Sequence, residues 1–415
     1  MESLSTTCVI AGGGPAGMML GYLLARAGVD VTVLEKHKDF LRDFRGDTVH
    51  PSTLQIMDEL GLLDKFLTLP FTRIRTANIE FDDKEFTIGD FSRLPPRTNF
   101  IALMPQWDFL DFLAGEAKKF PHFHLLMETE AKDLLAQGSR IAGLIATGRA
   151  NNGEDNKNGR HIQIRAGLTV AADGRHSILR AKSGLKVKEF GVPFDVLWLR
   201  LPVEPGDPVD LRGKVRNGQL FVMIYRGDYW QCAYLIPKGG FDAIKTEGLS
   251  KFRARLKSIA GFAADRVDAS ITDFDQAKLL TVAVDRLERW ARPGFLCIGD
   301  AAHAMSPVGG VGINLAIQDA VAAANILGPV LQKGVPKFSA LKKVQKRREF
   351  PTKVIQAGQV LIQNRLLAPT LKGAKTPEVP AFVKFFDAWP WARQLPARLI
   401  GLGIRQEHVR LGKRT

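Results

Sequence analysis

The chain has 415 residues, 45% of them hydrophobic, with a mean hydropathy of −0.05, three cysteines and a formal net charge of +15. That length supports two packed domains, while Cys8, Cys232 and Cys297, each inside an apolar strand-like run, exclude a disulfide framework or metal cage and imply buried thiols in a reducing cytoplasm. The charge is local: residues 331–415 hold 18 Lys and Arg against 4 Asp and Glu, so the rest is nearly neutral, and no zinc-ligand or helix-turn-helix pattern supports a nucleic-acid partner.

The first stretch reads TTCVIAGGGPAGMMLGYLLARAGVDVTVLEK. A short apolar run enters a glycine turn, a helix follows, and a second strand ends on Glu35 and Lys36. Gly12 permits the turn, Gly14 lets backbone approach a pyrophosphate and Gly17 lets helix and strand pack, while Pro15 and Ala16 open the helix without wasting an N–H. Glu35 falls where a carboxylate meets ribose hydroxyls. Strand, turn, helix, strand and acid in this order predict a dinucleotide site, with the helix N-terminus facing phosphate. A secretory or membrane segment is rejected here, because the charged leader is missing and three glycines interrupt the run.

A polar loop with Arg42 and Arg45 comes next, and Arg45 is assigned to a cofactor phosphate in preference to a solvated charge. His50, before Pro51, is expected to be extended, either near a substrate or as a structural histidine. A helix follows from about Ser52. Residues 72–103 alternate in short runs broken by turns, which suggests an antiparallel excursion. Gln106 opens another helix, where it either meets a cofactor hydroxyl or closes a loop.

Strand-like runs continue to LTVAAD, where Asp173 and Gly174 begin a second strand-to-helix turn. From Pro193 to about Thr272 the strands lengthen. Phe221, Met223 and Tyr225 share one strand face, which is either core or the wall of a flat aromatic ligand. A third turn reads FLCIGDAAHAMSPVGGVGINL: Gly299 and Asp300 end a strand, Pro307, Gly309 and Gly312 form a loop, and a helix begins near Ile313 and Asn314. Two helix N-termini far apart in sequence imply one long ligand held at both ends. The tail is helical, basic and aromatic, with Pro351 expected to break its first helix. It is expected to cover the other domains, bind a partner subunit or lie on an anionic membrane surface.

These three turns, in this order, resemble the class A flavoprotein monooxygenases of the para-hydroxybenzoate hydroxylase type over residues 5–350. The resemblance implies an α/β chain: a Rossmann-type FAD-binding domain (1–75, 100–182 and 280–330), an inserted antiparallel-sheet substrate domain (76–99 and 183–279) and a basic helical C-terminal segment (331–415). It implies non-covalent FAD, with Gly12, Gly14, Gly17 and Glu35 on the ADP half, Asp173 in the middle motif, Asp300 on the ribityl chain, Arg45 on the pyrophosphate and Gln106 on the ribityl side. Backbone at Gly312, Ile313 and Asn314 would meet the flavin ring, and Val311 replaces the more frequent Gln or Met.

The implied reaction is reduction of FAD by NADH or NADPH, then hydroxylation of a phenolic or polycyclic aromatic with O2 through a flavin C4a-hydroperoxide. His50 and Tyr225 are candidate bases with no motif behind them. Alternatives are an epoxidase, an isoprenoid reductase, an oxidative decarboxylase or a non-catalytic flavin-binding partner. No metal is expected, localisation is expected to be cytoplasmic, and both monomer and homodimer stay open.

Overall fold

The computed structural model describes residues 2–41, 48–149, 160–373 and 375–411. In chain order the elements used below are β1 (Glu2–Ala11), α1 (Pro15–Arg26), β2 (Val31–Leu34), β3 (Thr48–Val49), α2 (Pro51–Glu59), β4 (Thr76–Phe81), β5 (Lys84–Asp90) and α3 (Gln106–Ala117). They continue with β6 (Phe123–Leu126), β7 (Arg160–Ala171), β8 (Phe194–Pro202), β9 (Leu211–Arg216), β10 (Gln219–Tyr225), β11 (Tyr229–Pro237), α4 (Phe241–Glu247) and α5 (Leu249–Ala260). The last are β12 (Phe295–Cys297), α6 (Gly312–Leu331), α7 (Phe338–Ile362), α8 (Ala381–Ala388) and α9 (Gln394–Gly401).

The central strands of the first sheet end in buried runs at residues 8–11, 31–34, 168–171 and 295–297, the pattern of parallel strands covered on both faces. Its parallel centre has the order β12, β7, β1, β2, β6, and antiparallel strands extend it: Ala291–Arg292 beside β12, and Arg140–Gly148 beside β7 with Thr129–Gln137 beyond. Register places Ala11 beside Ala171, Ala171 beside Cys297 and Ala11 beside Leu34. The three sequence turns and Glu35 therefore leave the carboxyl edge of the sheet in a single row, where open α/β sheets bind ligands. Helices α1 and α6 pack together above this core.

The second sheet has the order Lys278–Leu280, β8, β11, β10, β9, β4, β5, so the hairpin from residues 76–90 crosses to it and pairs β4 in parallel with β9. Strict alternation gives it two apolar faces. One holds Leu197, Phe221, Met223, Trp230 and Cys232 under α4 and α5. The other holds Val196, Leu220 and Leu235, with Trp198 and Val222 packed against them, and meets Val308 of the glycine loop.

Proline at 351 does not end its helix: α7 runs unbroken from Phe338 to Ile362. A proline costs the helix one backbone bond. Here Pro351 and Thr352 are buried, the Thr352 hydroxyl donates to Arg348 O at 2.9 Å, and the Arg348 guanidinium is anchored on Asp319, so packing outweighs that loss. The C-terminal segment then returns along α6 and α2, with Glu407 N–H donating to Gln318, and His408 and Val409 N–H held by Glu59. Val308–Leu331 is the one helical stretch among the described residues long and apolar enough to cross a membrane, and it is mostly buried, as a core helix is. All three cysteines are buried and free.

Candidate active site

The first turn is fixed by contacts a side chain would destroy. Gly12 has φ +105°, and a Cβ there would lie 2.4 Å from Ala172 O; a Cβ on Gly17 would lie 1.9 Å from Gly12 O. Gly14 differs. It caps the N-terminus of α1 in an extended conformation, and a Cβ on it would meet nothing within 4 Å. Pro15 is the first helical residue and Ala16 is buried behind it. The Glu35 carboxylate accepts Gly13 N–H at 3.1 Å and His37 N–H at 3.0 Å, fastening the turn to the end of β2. Lys36 beside it is exposed.

The second and third turns are tied to one another. Arg180, after the Asp173 turn, donates to both Asp285 carboxylate oxygens at 3.2 and 3.3 Å, and Asp285 also takes Ala304 N–H at 3.1 Å. Asp173 Oδ2 accepts Leu179 N–H at 3.4 Å, Oδ1 is buried with no hydrogen-bond partner among the described residues, and burial pushes this carboxyl above its ordinary range. Asp300 is half-buried, 3.8 Å from Arg175. A Cβ on Gly299 would lie 3.1 Å from Ala16 and 3.2 Å from Ala316, so glycine lets both helices close on the strand end.

Sequence reasoning missed the group beneath this turn. Asp319 accepts Gly299 N–H at 3.1 Å and Arg348 Nε–H at 2.9 Å, and lies 2.6 Å from His303 Nε2. Burial alone would raise its carboxyl, but His303 and then Arg348 outweigh that and hold it below the ordinary range. Only the position of His303, four residues after Gly299, signalled it in the sequence.

The glycine loop leads into α6 with Gly309 at φ +78° and Gly310 at +61°. Pro307, Gly312 and Ile313 are half-buried, and neither a capping side chain nor an acidic residue occupies the first turn of α6. The Asn314 side chain is fully committed. Its carbonyl accepts His50 N–H at 2.9 Å and the Thr53 hydroxyl at 2.8 Å, and its amide donates to Thr48 O at 3.0 Å and Gly310 O at 3.3 Å. Thus Asn314 offers a ligand only backbone. Val311 is buried against Met305 and Leu315.

The remaining predicted residues divide. His50 is fully buried, its Nδ1 2.9 Å from Ile400 O, and burial lowers its pKa to about 4, so it is neutral. Gln106 begins α3, half-buried. Arg42 and Arg45 lie outside the described residues. Phe221 and Met223 are fully buried and Tyr225 packs edge-on to Trp230 at 5.5 Å, all in the cluster under α4 and α5, on the sheet face away from Val308 and the glycine loop. The expected substrate wall is therefore core, and Tyr225 is not placed to act as a base at this site. Trp198 and Val222, which sequence reasoning did not select, occupy the face toward the loop.

The row fits a dinucleotide. Two helices begin at one sheet edge without capping side chains, open space lies over Gly14, and a buried carboxylate oxygen of Asp173 has no hydrogen-bond partner among the described residues. Among the described residues no cluster suits a metal ion.

Comparison with known proteins agrees. A family model described as an FAD binding domain matches residues 5–357. The chain is 31% identical over 372 residues to 6-methylpretetramide 4-monooxygenase of Streptomyces rimosus, covering 89% of this chain and 86% of that protein. It is 26% identical to dialkyldecalin synthase of Streptomyces rugosporus, covering 77% of this chain and 64% of the synthase. In fold it is similar to a probable FAD-dependent monooxygenase from Pseudomonas aeruginosa, with a TM-score of 0.73 and 22% identity over 89% of this chain and 99% of that one.

Proposed function

The chain belongs to the FAD-binding family of class A flavoprotein monooxygenases, and on that premise we propose that it hydroxylates a phenolic or polycyclic aromatic molecule using O2 and NADH or NADPH. The observation that carries the reading is the single row formed by Ala11, Ala171, Cys297 and Leu34, which sets three binding turns and Glu35 along one edge. In this reading the segments 1–75, 100–182 and 280–330 hold the cofactor, 76–99 and 183–279 face the substrate, and 331–415 close the assembly.

FAD, when bound, supplies the redox chemistry, accepting reducing equivalents from the nicotinamide and delivering one oxygen atom of O2 to the substrate. The chain's part is position and polarity. The Gly14 and Ala16 N–H groups at the start of α1, with Arg45, would hold the pyrophosphate; Glu35 and Lys36 would flank the ribose, and Asp173, Asp300 and Gln106 would hold hydroxyls along the ligand. Gly312, Ile313 and the Asn314 backbone, after Pro307 and Gly309, would aim N–H groups and the positive end of α6 at the flavin ring, where negative charge develops. Trp198, Val222 and Val308 would wall the aromatic substrate and keep water out. His50 serves as a positioning residue, since both its backbone and its Nδ1 are spent on holding Asn314 and Ile400.

The similarity to the 6-methylpretetramide enzyme supports a monooxygenase reaction, because that relative is named for one. The similarity to a synthase supports the second reading, a flavin protein of this fold running another ring chemistry. Turnover with isotopically labelled O2 against a panel of phenols and fused aromatics separates them. Label in a product heavier by one oxygen atom is expected; flavin reduction and re-oxidation with no label in any product would reject hydroxylation.

A further inference from the structure

Helices normally bury one apolar stripe and leave the other face polar. α8 and α9 do not. They turn Val383 and Ala397 inward against the second sheet and its hairpin, yet the outward side of the same segment carries Phe382, Phe385, Trp389, Trp391, Leu395 and Leu399, each more than two-fifths exposed. Phe385 and Trp391 meet edge-on at 6.4 Å, which joins the two helices into one patch.

The charge of the segment that carries this patch is mainly basic, residues 375–411 holding Lys375, Lys384, Arg393, Arg398, Arg405 and Arg410 against Glu378, Asp387 and Glu407. Between residues 381 and 399 the exposed charged side chains are Lys384 and Arg398. The acid in that interval, Asp387, is partly exposed and paired, its carboxylate accepting Thr87 N–H at 3.0 Å and lying 3.5 Å from Arg393. A second copy of the chain seated here would set this basic rim against itself. An anionic lipid surface complements both features, because tryptophan settles at the headgroup level with its apolar body down while lysine and arginine stay with the lipid phosphates.

We propose that the outer face of α8 and α9 is a docking surface for an anionic lipid bilayer, on which the protein sits peripherally. The patch adjoins the catalytic side of the fold, since the Ile400 carbonyl at the end of α9 holds His50. The inference goes beyond the reading of the reaction and does not depend on it.

Removing the whole tail would not test this, because Val383, Ala397 and Glu407 are core. The test uses the full-length flavin-bound protein with phosphatidylcholine vesicles, with and without phosphatidylglycerol, in a sedimentation assay. Binding is expected only with phosphatidylglycerol, falling with salt and accompanied by a blue shift in tryptophan emission. The paired variants Trp389→Ser with Trp391→Ser, and Lys384→Glu with Arg398→Glu, should each weaken it about tenfold or more while retaining flavin. Failure of the parent protein to sediment with phosphatidylglycerol vesicles, or unchanged binding by both variants, would overturn the proposal. So would a dimer in solution that the double tryptophan variant dissolves. Flavin content and turnover report separately on the reaction.

Discussion

The side-chain carbonyl of Asn314 accepts the backbone N–H of His50 at 2.9 Å, across 264 residues of sequence. Through it the N-terminus of α6, the strand β3 and the start of α2 become one rigid corner, and the His50 ring extends the corner to α9 through Ile400 O.

That corner should be sensitive to acid. Burial holds His50 at about 4, with the Ile400 carbonyl partly opposing it. The unfolded chain takes up this proton near pH 6.5, whereas the folded chain resists until about 4. Stability is therefore full above the unfolded value and falls as the pH drops toward the folded one. Between about pH 7 and pH 5 the linkage amounts to roughly 2 kcal/mol. His50→Asn keeps a donor for Ile400 O but cannot titrate, so its urea unfolding free energy should lose less over that interval by about this amount. Equal losses in parent and variant would mean that His50 does not carry the acid sensitivity.

The two faces of the second sheet should respond differently to truncation. Phe221→Ala opens a cavity under α4 and α5 and should cost about 3–5 kcal/mol in denaturant unfolding, with KM for the aromatic substrate little changed. Trp198→Ala should instead raise KM by about tenfold or shift the preferred ring system, because Trp198 faces the loop. The reverse pattern would return the substrate wall to Phe221, Met223 and Tyr225.

Asp300 contacts little in the protein itself beyond Arg175 at 3.8 Å. Asp300→Ala should therefore leave the melting temperature of the flavin-free protein nearly unchanged. It should weaken flavin binding by about tenfold to a hundredfold, the loss of one hydrogen bond to a charged group. The ratio of flavin to protein absorbance after purification reads this directly, and full occupancy would remove the ribityl assignment.

The cofactor side of the fold was legible because its backbone leaves few choices. Gly12 and Gly17 are forced by contacts at 2.4 and 1.9 Å, so their spacing survives in any sequence that makes this turn. The second sheet was not legible to the same depth. Its strands are apolar on both faces, Phe221, Met223 and Tyr225 alternating with Leu220, Val222 and Ile224, and period two alone cannot say which face meets the loop. Pro351 misled because local propensity was overridden by the buried pairing of Arg348 with Asp319. The Asp319 cluster has no sequence signature beyond the spacing of Gly299 and His303, since Asp319 and Arg348 join them only in the folded chain.

The most direct test of the central claim, that the row of turns is a flavin site, is Gly14→Val. Its φ of −73° and ψ of −178° are open to a side chain, and beyond its chain neighbours nothing lies within 4 Å of an added Cβ, so the fold should be little changed. Only a ligand lying on the N-terminus of α1 would feel the side chain. Flavin titration of the purified variant, alongside its thermal melt, should show an apoprotein as stable as the parent's that no longer binds FAD. A variant that folds equally well and binds FAD with undiminished affinity would contradict the account.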